Sequence, residues 1–103
     1  MKTKRSSTLF TRARKVLPGG VDSPVRSFAA VGASPLFIRR ASGARIEDVD
    51  GNRFIDYVMS WGPLIHGHAP RGLVKRLAEV ARDGTSFGAP TELEVQLGER
   101  VRT

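Results

Sequence analysis

Hydrophobic and polar residues follow a helical pattern near the start of the chain. Residues 6–17 begin with serines and threonine, which commonly cap helices, and carry Lys15 in the last turn, where a cation suits the helix dipole. Pro18-Gly19-Gly20 ends this pattern, and Pro24 disfavours helix at the residue before it. The pattern predicts a short N-terminal helix over 6–17, followed by an extended or turning loop.

Three strand-like runs occupy the middle of the chain, at residues 36–40, 45–49 and 54–58. Asp50-Gly51 lies between the second and the third run, and this dipeptide is a strong signal for a tight hairpin turn. Consecutive strands with short connections usually pair with each other. The sequence therefore predicts a small antiparallel meander.

Helical periodicity returns after a loop rich in glycine and proline. Residues 72–83 place their leucines and valines on one face and their charged side chains on the other. Thr91 and Glu94 have the spacing of a capping box and open a last helix, for which the sequence contains no stop signal. The predicted fold class is α+β, with an N-terminal helix, a small meander and two further helices, and we expect the chain to be truncated within its last helix.

The net charge of +7 is concentrated at the N-terminus of this 103-residue chain. Residues 1–26 carry seven basic side chains and one acid, whereas the remainder carries ten basic and nine acidic side chains. A basic arm can contact nucleic-acid phosphates, but a solvated tail and helix face is the plainer interpretation. A small basic module that interacts with nucleic acid is therefore an alternative of a different class.

The amino-acid composition limits the classes of protein to which this chain can belong. Apolar residues make up 40% of the chain and charged residues 26%, as in globular proteins. Cysteine is absent, which removes disulfides and thiolate chemistry and fits a cytoplasmic protein. No apolar run approaches the ~20 residues needed to span a bilayer. We expect neither a membrane nor a nucleic acid as partner.

Side chains that could carry catalysis are sparse. The chain contains no nucleophile elbow and no glycine-rich nucleotide loop. His66 and His68 lie two residues apart, but two ligands do not make a zinc site, so we expect no metal and interpret both as loop histidines bonded to backbone. Acids alternating along a meander normally form its solvated face. We expect this of Glu47, Asp48, Asp50 and Asp56.

Two residues in loops are candidates for binding. Arg26 follows a rigid, glycine-hinged turn, and a planar guanidinium can grip a carboxylate through two parallel hydrogen bonds. Trp61 is the only tryptophan and lies in a loop rather than in a periodic stripe. From its spacing, Trp61 is equally well interpreted as an aromatic packed beneath a loop or as a wall of a ligand pocket.

Several motifs resemble the glutamate-1-semialdehyde aminomutase family, a branch of the class III aminotransferases. The Asp-Gly-Asn motif at 50–52 and the Gly-His motif at 67–68 are common to class III aminotransferases. The Ser-Pro-Val-Arg motif at 23–26 and the Thr-Ser-Phe-Gly-Ala-Pro loop at 85–90 are more specific to the aminomutase branch. The resemblance covers about residues 7 to 103 without obvious gaps.

This resemblance implies an enzyme about four times as long as the chain. Such an enzyme is a homodimer of fold type I, an α/β fold, and uses pyridoxal 5'-phosphate to convert glutamate-1-semialdehyde to 5-aminolevulinate in tetrapyrrole (porphyrin) biosynthesis. Residues 1–60 would form the helix and meander of its small domain, and residues 61–103 the start of its large cofactor-binding domain. Another class III aminotransferase is the nearest alternative.

The resemblance also implies roles for individual residues. Ser23 and Arg26 match the residues that bind the substrate carboxylate, and Trp61 matches a residue that lines the substrate pocket. The loop containing Ser86, Phe87 and Gly88 matches a segment near the active site and the dimer contact.

The lysine that attaches the cofactor lies far downstream in the family. All lysines of this chain fall on a tail or on a solvated helix face; they are Lys2, Lys4, Lys15 and Lys75. We therefore expect no catalytic residue in this chain, no covalent pyridoxal phosphate and no activity of the chain alone.

Overall fold

The computed structural model describes residues 1–102 and has an α+β architecture, as predicted. Contacts divide the chain into two compact units, one formed by Met1–Pro70 and one that begins at Arg71. Among the described residues, the first unit holds one α-helix, a three-stranded sheet and four short 3₁₀ turns, and the second holds two α-helices. In order, the α-helices and strands are α1 (Lys4–Ala13), β1 (Ile38–Ser42), β2 (Arg45–Asp48), β3 (Arg53–Ile55), α2 (Arg71–Val80) and α3 (Glu92–Arg102).

The three strands pair antiparallel in the order β1-β2-β3, which confirms the predicted meander. The Asp50-Gly51 turn is also present, because Gly51 adopts a φ of +85° and the Asp48 amide donates to the Asn52 carbonyl at 3.0 Å. Glu47 on the central strand lies opposite Arg40 on one side and Arg53 on the other. The sheet is thus short, with an ion-pair cluster across its centre.

The acid of this ion-pair cluster, Glu47, is largely shielded from solvent. The Glu47 carboxylate accepts hydrogen bonds from Arg40 at 2.7 Å and from Arg53 at 3.0 Å, and its side chain is 12% exposed. The bond from Arg40 lowers the pKa of Glu47, against the opposing effect of burial, and Arg53 lowers it further. Glu47 therefore links all three strands.

Helix α1 begins at Lys4, two residues before the predicted start, because an acid from the turn between β2 and β3 accepts amides of its first turn. The two carboxylate oxygens of Asp50 accept the amides of Arg5 and Ser6 at 2.8 and 2.9 Å. Although burial alone would raise the pKa of Asp50, these amides lower it. An anion at the N-terminus of a helix also interacts favourably with the helix dipole. Asp50 thus fastens α1 to the hairpin turn.

The most buried side chain of the first unit is an acid. Asp48 is 0% exposed, and its carboxylate accepts the amides of Asp50 and Asn52 and the side-chain amide of Asn52, at 2.9, 2.8 and 2.6 Å. Buried polar groups need such partners to offset the loss of water. The expectation that the acids of the meander form its solvated face was wrong, since these carboxylates fix turns and neighbouring strands.

The second unit is held mainly by local hydrogen bonds. The Glu94 carboxylate reaches back to the Thr91 amide at 3.3 Å, which is one half of the predicted capping box. Apolar side chains on both helices are largely exposed in this chain, for example Leu77 at 59% and Leu97 at 64%. Among the described residues, no helix has the length and apolar character that crossing a bilayer demands.

The first compact unit extends to Pro70, beyond the boundary predicted at residue 60. The reason is a two-way backbone bridge, in which Gly43 and His68 each donate an amide to the carbonyl of the other at 2.9 Å. This bridge attaches the segment before Pro70 to the turn between β1 and β2. The assignment of the two units to the small and large domains of a longer enzyme stays a prediction.

Candidate functional site

The glycine-rich turn after α1 is shaped by close contact with that helix. Gly20 has a φ of +77°, and a Cβ atom placed there would lie 2.6 Å from the Phe10 ring and 2.8 Å from the Arg14 side chain. Because both contacts are too short for any side chain, only glycine fits. The Arg14 guanidinium carbon lies 5.1 Å from the centre of the same ring. The turn that precedes Ser23 and Arg26 is therefore anchored to α1.

Ser23 and Arg26 lie in one tight turn. Ser23 is extended, and its carbonyl accepts the Arg26 amide at 2.9 Å, which opens the 3₁₀ turn Pro24–Ser27. The Ser27 hydroxyl donates to the Pro24 carbonyl at 2.7 Å and closes the turn. The Arg26 side chain is exposed and forms no ion pair with any residue that the structure describes. The turn thus presents a guanidinium that is free to bind an anion.

A shallow depression lies beside this turn. Its volume is about 420 Å³, and it is lined by Pro18, Gly19, Val21, Asp22, Pro24 and Ser27. Neither Ser23 nor Arg26 belongs to its lining. The prediction that these two residues bind a carboxylate therefore depends on the free guanidinium and not on a pocket formed within the described chain.

Trp61 lies on a segment with an uncommon backbone. Met59, Ser60 and Trp61 have φ values of +47°, +56° and +68°, and Gly62 follows at +112°. The left-handed conformation costs roughly 1–2 kcal/mol for each residue with a Cβ atom. Trp61 is 73% exposed, so no loop within residues 1–102 packs over it. Its role as a wall of a ligand pocket stays a prediction.

Asp56 and His68 form a contact that sequence reasoning missed. The Asp56 Oδ2 atom lies 2.6 Å from His68 Nε2, and the two side chains are 11% and 19% exposed. The bond from His68 lowers the pKa of Asp56, and the Met59 and Val58 amides lower it further. The expectation that the His68 ring bonds to backbone was wrong, because the ring contacts the Asp56 carboxylate, and only the main chain of His68 bonds to Gly43. No local signal joins two residues twelve positions apart, so only a tertiary contact could reveal the pair.

The predicted loop of the second unit folds over a glycine. The Phe87 ring lies against Gly84, where an added Cβ atom would come within 2.7 Å of it. Arg76, Glu92 and Gln96 help to line an adjacent depression of about 280 Å³. Ser86 and Gly88 are exposed, and the position of this loop near an active site or dimer contact stays a prediction.

The described residues bring some predicted site residues together and leave others apart. Ser23 and Arg26 share one turn, whereas no hydrogen bond or ring contact in the described part of the chain joins either of them to Trp61. Within residues 1–102, no group of three or more potential metal ligands forms. The candidate site thus consists of a turn that presents the unpaired Arg26 guanidinium and a separate loop that presents an exposed indole.

Comparison with known proteins identifies the class. The model of the class III aminotransferase family matches residues 28–100, and the chain belongs to this family. A glutamate-1-semialdehyde 2,1-aminomutase from Roseiflexus castenholzii is 61% identical over 101 residues, which are 98% of this chain and 23% of that protein. This similarity confirms the resemblance drawn from the sequence motifs.

Two solved structures have the same fold in the compared region. A transaminase with bound pyridoxal phosphate matches with a TM-score of 0.86 and 41% identity, over 96% of this chain and 23% of that one. A glutamate-1-semialdehyde aminomutase from Pseudomonas aeruginosa matches with a TM-score of 0.80 and 25% identity, over 93% of this chain and 21% of that one. The chain therefore spans about a quarter of the length of the relatives it matches.

The residues present do not fit covalent attachment of pyridoxal phosphate. Lys2, Lys4 and Lys15 are exposed, and Lys75 lies on α2 with its Nζ atom 3.9 Å from Glu79. Neither depression has a lysine in its lining. A lysine that forms a Schiff base needs a shielded site that lowers its pKa. We therefore assign no chemical step to this chain.

Proposed function

We propose that this chain is the substrate-recognition segment of a pyridoxal-phosphate-dependent enzyme that converts glutamate-1-semialdehyde to 5-aminolevulinate, in tetrapyrrole biosynthesis. Arg26 binds the substrate carboxylate, Ser23 assists it, and Trp61 forms one wall of the substrate pocket. The observation that carries this proposal is the free guanidinium of Arg26 on a turn fixed by Gly20. The identity of 61% to a named aminomutase supports the choice of substrate.

Arginine suits this task because of its geometry and charge. Its planar group donates two parallel hydrogen bonds to a carboxylate, which a lysine cannot reproduce. Hydrogen bonds to charged groups contribute about 1.5–3 kcal/mol. The turn supplies a fixed backbone for Arg26, so only the side chain has to be ordered when the anion binds.

The remaining parts of the proposal concern the complete enzyme. The bound cofactor supplies the electron sink for moving the amino group, and its lysine comes from another part of that enzyme. We further propose a cytoplasmic homodimer, in which the loop containing Ser86, Phe87 and Gly88 lies near the active site and the subunit contact.

A second candidate is an aminotransferase that passes its amino group to a separate acceptor. The match to a transaminase at 41% identity favours it. The two candidates differ in stoichiometry, because an aminomutase forms product without any added amino acceptor.

A chimera tests the proposal. In the Roseiflexus castenholzii relative, the aligned segment of 101 residues is exchanged for that of this chain, and 5-aminolevulinate is measured without an amino acceptor. We expect activity, and we expect Arg26→Ala to raise KM for the semialdehyde by about tenfold to a hundredfold. Arg12→Ala, which alters an exposed arginine of α1, serves as the control. An unchanged KM in Arg26→Ala, or activity only with an added acceptor, would overturn the proposal.

A further inference from the structure

The loop that carries Trp61 is fastened at both ends to the same hairpin turn. At its start, the Asp56 amide donates to the Ala44 carbonyl at 2.8 Å. At its end, His68 and Gly43 exchange two backbone hydrogen bonds at 2.9 Å. The segment 57–67 is therefore a closed loop whose two ends lie side by side at the turn between β1 and β2.

One carboxylate both closes this loop and begins its turn. Oδ2 of Asp56 contacts His68 Nε2 at 2.6 Å. Asp56 and His68 flank the two ends of the loop, and we call this pair of ends the neck of the loop. Oδ1 of the same side chain accepts the Val58 and Met59 amides at 2.8 and 3.1 Å. Movement of the Asp56 side chain would therefore disturb the neck and the first residues of the loop together.

The backbone after Val58 adopts a conformation that residues with a Cβ atom disfavour. Three consecutive residues with side chains, Met59, Ser60 and Trp61, occupy left-handed conformations, which persist only where the surroundings determine them strongly. Packing of the indole cannot supply that constraint, because Trp61 is 73% exposed. The constraint comes from hydrogen bonds, among them those of Asp56 and the bond from the Leu64 amide to the Met59 carbonyl at 3.4 Å.

We propose that Asp56 and His68 are positioning residues, which fix the left-handed turn of segment 57–67 and so set the place of the Trp61 indole in the substrate pocket. Neither residue touches the substrate. This inference rests on the proposed function for the role of Trp61, but the claim that the Asp56–His68 contact fixes the indole stands on the geometry of the chain itself.

The first test uses the 103-residue chain, in which Trp61 is the only tryptophan. We compare the NMR signal of the indole N–H in the wild type, His68→Ala, Asp56→Asn and the control His66→Ala, whose exposed histidine lies outside the neck. We expect the indole signal to shift and broaden in the first two variants and to match the wild type in the control. An indole signal that is the same in all four proteins would overturn the inference.

The second test uses the chimera described above. His68→Ala and Asp56→Asn are expected to raise KM for the semialdehyde by about tenfold or more, since displacement of a pocket group by 1 Å can cost that much. Absorption of the bound cofactor should stay as in His66→Ala, because a structural defect that reached the cofactor site would alter it, whereas the thermal midpoint of both variants is expected to fall with the loss of the Asp56–His68 contact. If Arg26→Ala raises KM whereas these two variants do not, the inference fails and the proposed function stands. If Arg26→Ala has no effect, the proposed function fails, and the indole signal alone decides whether Asp56 and His68 fix the loop.

Discussion

The two compact units of this chain are held by different kinds of contact. In Met1–Pro70, side-chain hydrogen bonds join residues far apart in sequence, such as Ser6 to Asp50, separated by 44 positions, and Asp56 to His68, separated by 12. In the unit that begins at Arg71, the described side-chain bonds span only three or four positions, as between Gln96 and Glu92. Contacts between distant residues therefore fix the fold of the first unit, whereas the second is held mainly by the local hydrogen bonds of its helices.

The two units differ in the partners that their acidic side chains bind. Asp48, Asp50 and Asp56 each accept backbone amides at a turn or a helix start, and each is shielded from much of the solvent. In the second unit, Glu79 forms exposed pairs with its neighbours on α2 instead. Exposed pairs contribute little to stability, whereas a buried carboxylate with several donors fixes the backbone around it. Substitutions at acids should therefore affect the two units unequally.

The largest effect is expected from Asp48→Ala. The substitution leaves the Asp50 amide and both Asn52 donors without their acceptor, at a cost of about 1–3 kcal/mol for each donor that stays unpaired. We expect the first unit to lose protection of its amides from hydrogen exchange, while the amides of α2 are unchanged. Asp48→Asn, which keeps one carbonyl oxygen, is the control and should lose less. Equal loss in both units would contradict the distinction between them.

A pair of glycine substitutions tests the attachment of the loop to the hairpin. Gly67 and Gly43 both have positive φ values, so alanine at either is strained by about 1–2 kcal/mol. At Gly67 the new Cβ atom would also lie 2.9 Å from the Gly43 carbonyl oxygen, whereas at Gly43 the space is open. We expect Gly67→Ala to lower the free energy of unfolding by about 1–3 kcal/mol more than Gly43→Ala does. Urea titration followed by circular dichroism measures this difference, and equal losses would refute the close contact.

As the pH is lowered, the first unit should unfold before the second. The folded-state pKa values of Glu47, Asp50 and Asp56 are lowered. Each of these groups contributes stability that is complete above its unfolded pKa of about 4 and is lost as the pH falls through the folded value. Amide exchange followed by NMR from about pH 5 to pH 1 should show protection lost first in the sheet. The α2 amides in the same sample are the control, and their earlier loss would contradict this order.

The smallest effect is expected in the second unit, from Glu79→Gln. This change removes the pairs with Lys75 at 3.9 Å and Arg76 at 3.5 Å, both exposed, which are worth about 0.2–0.5 kcal/mol each. The corresponding change in the sheet, Glu47→Gln, should lower the urea midpoint more, because Glu47 links Arg40 and Arg53 across three strands. A larger shift in Glu79→Gln would show that exposed pairs matter more than we infer.

Sequence reasoning predicted the elements of this fold more closely than the contacts between them. The meander, the turn at Asp50-Gly51 and both later helices were predicted and confirmed, since each depends on residues a few positions apart. The end of β3 at Ile55 was missed, because the run to residue 58 is apolar enough for a strand. Asp56 ends the strand by accepting the amides of Val58 and Met59, which pattern alone did not indicate.

The candidate site was predicted by residue type and motif rather than by shape. Arg26 stands out because arginine binds carboxylates in a defined geometry, and its turn carries the glycine and proline that such a turn requires. The role predicted for Trp61 came from resemblance, and only the structure placed the residue on a left-handed segment. His68 was interpreted as bonded to backbone alone, because its partner is remote in sequence.

The sequence by itself determined the order of helices and strands, the hairpin turn and membership of the class III aminotransferase family. These depend on backbone preferences and motifs, which act over a few consecutive residues. The tertiary structure decided which acids turn inward, which of them caps α1 and which one binds His68. A carboxylate takes the donors that the fold brings within about 3 Å of it, and in the first unit several of these donors come from distant parts of the chain.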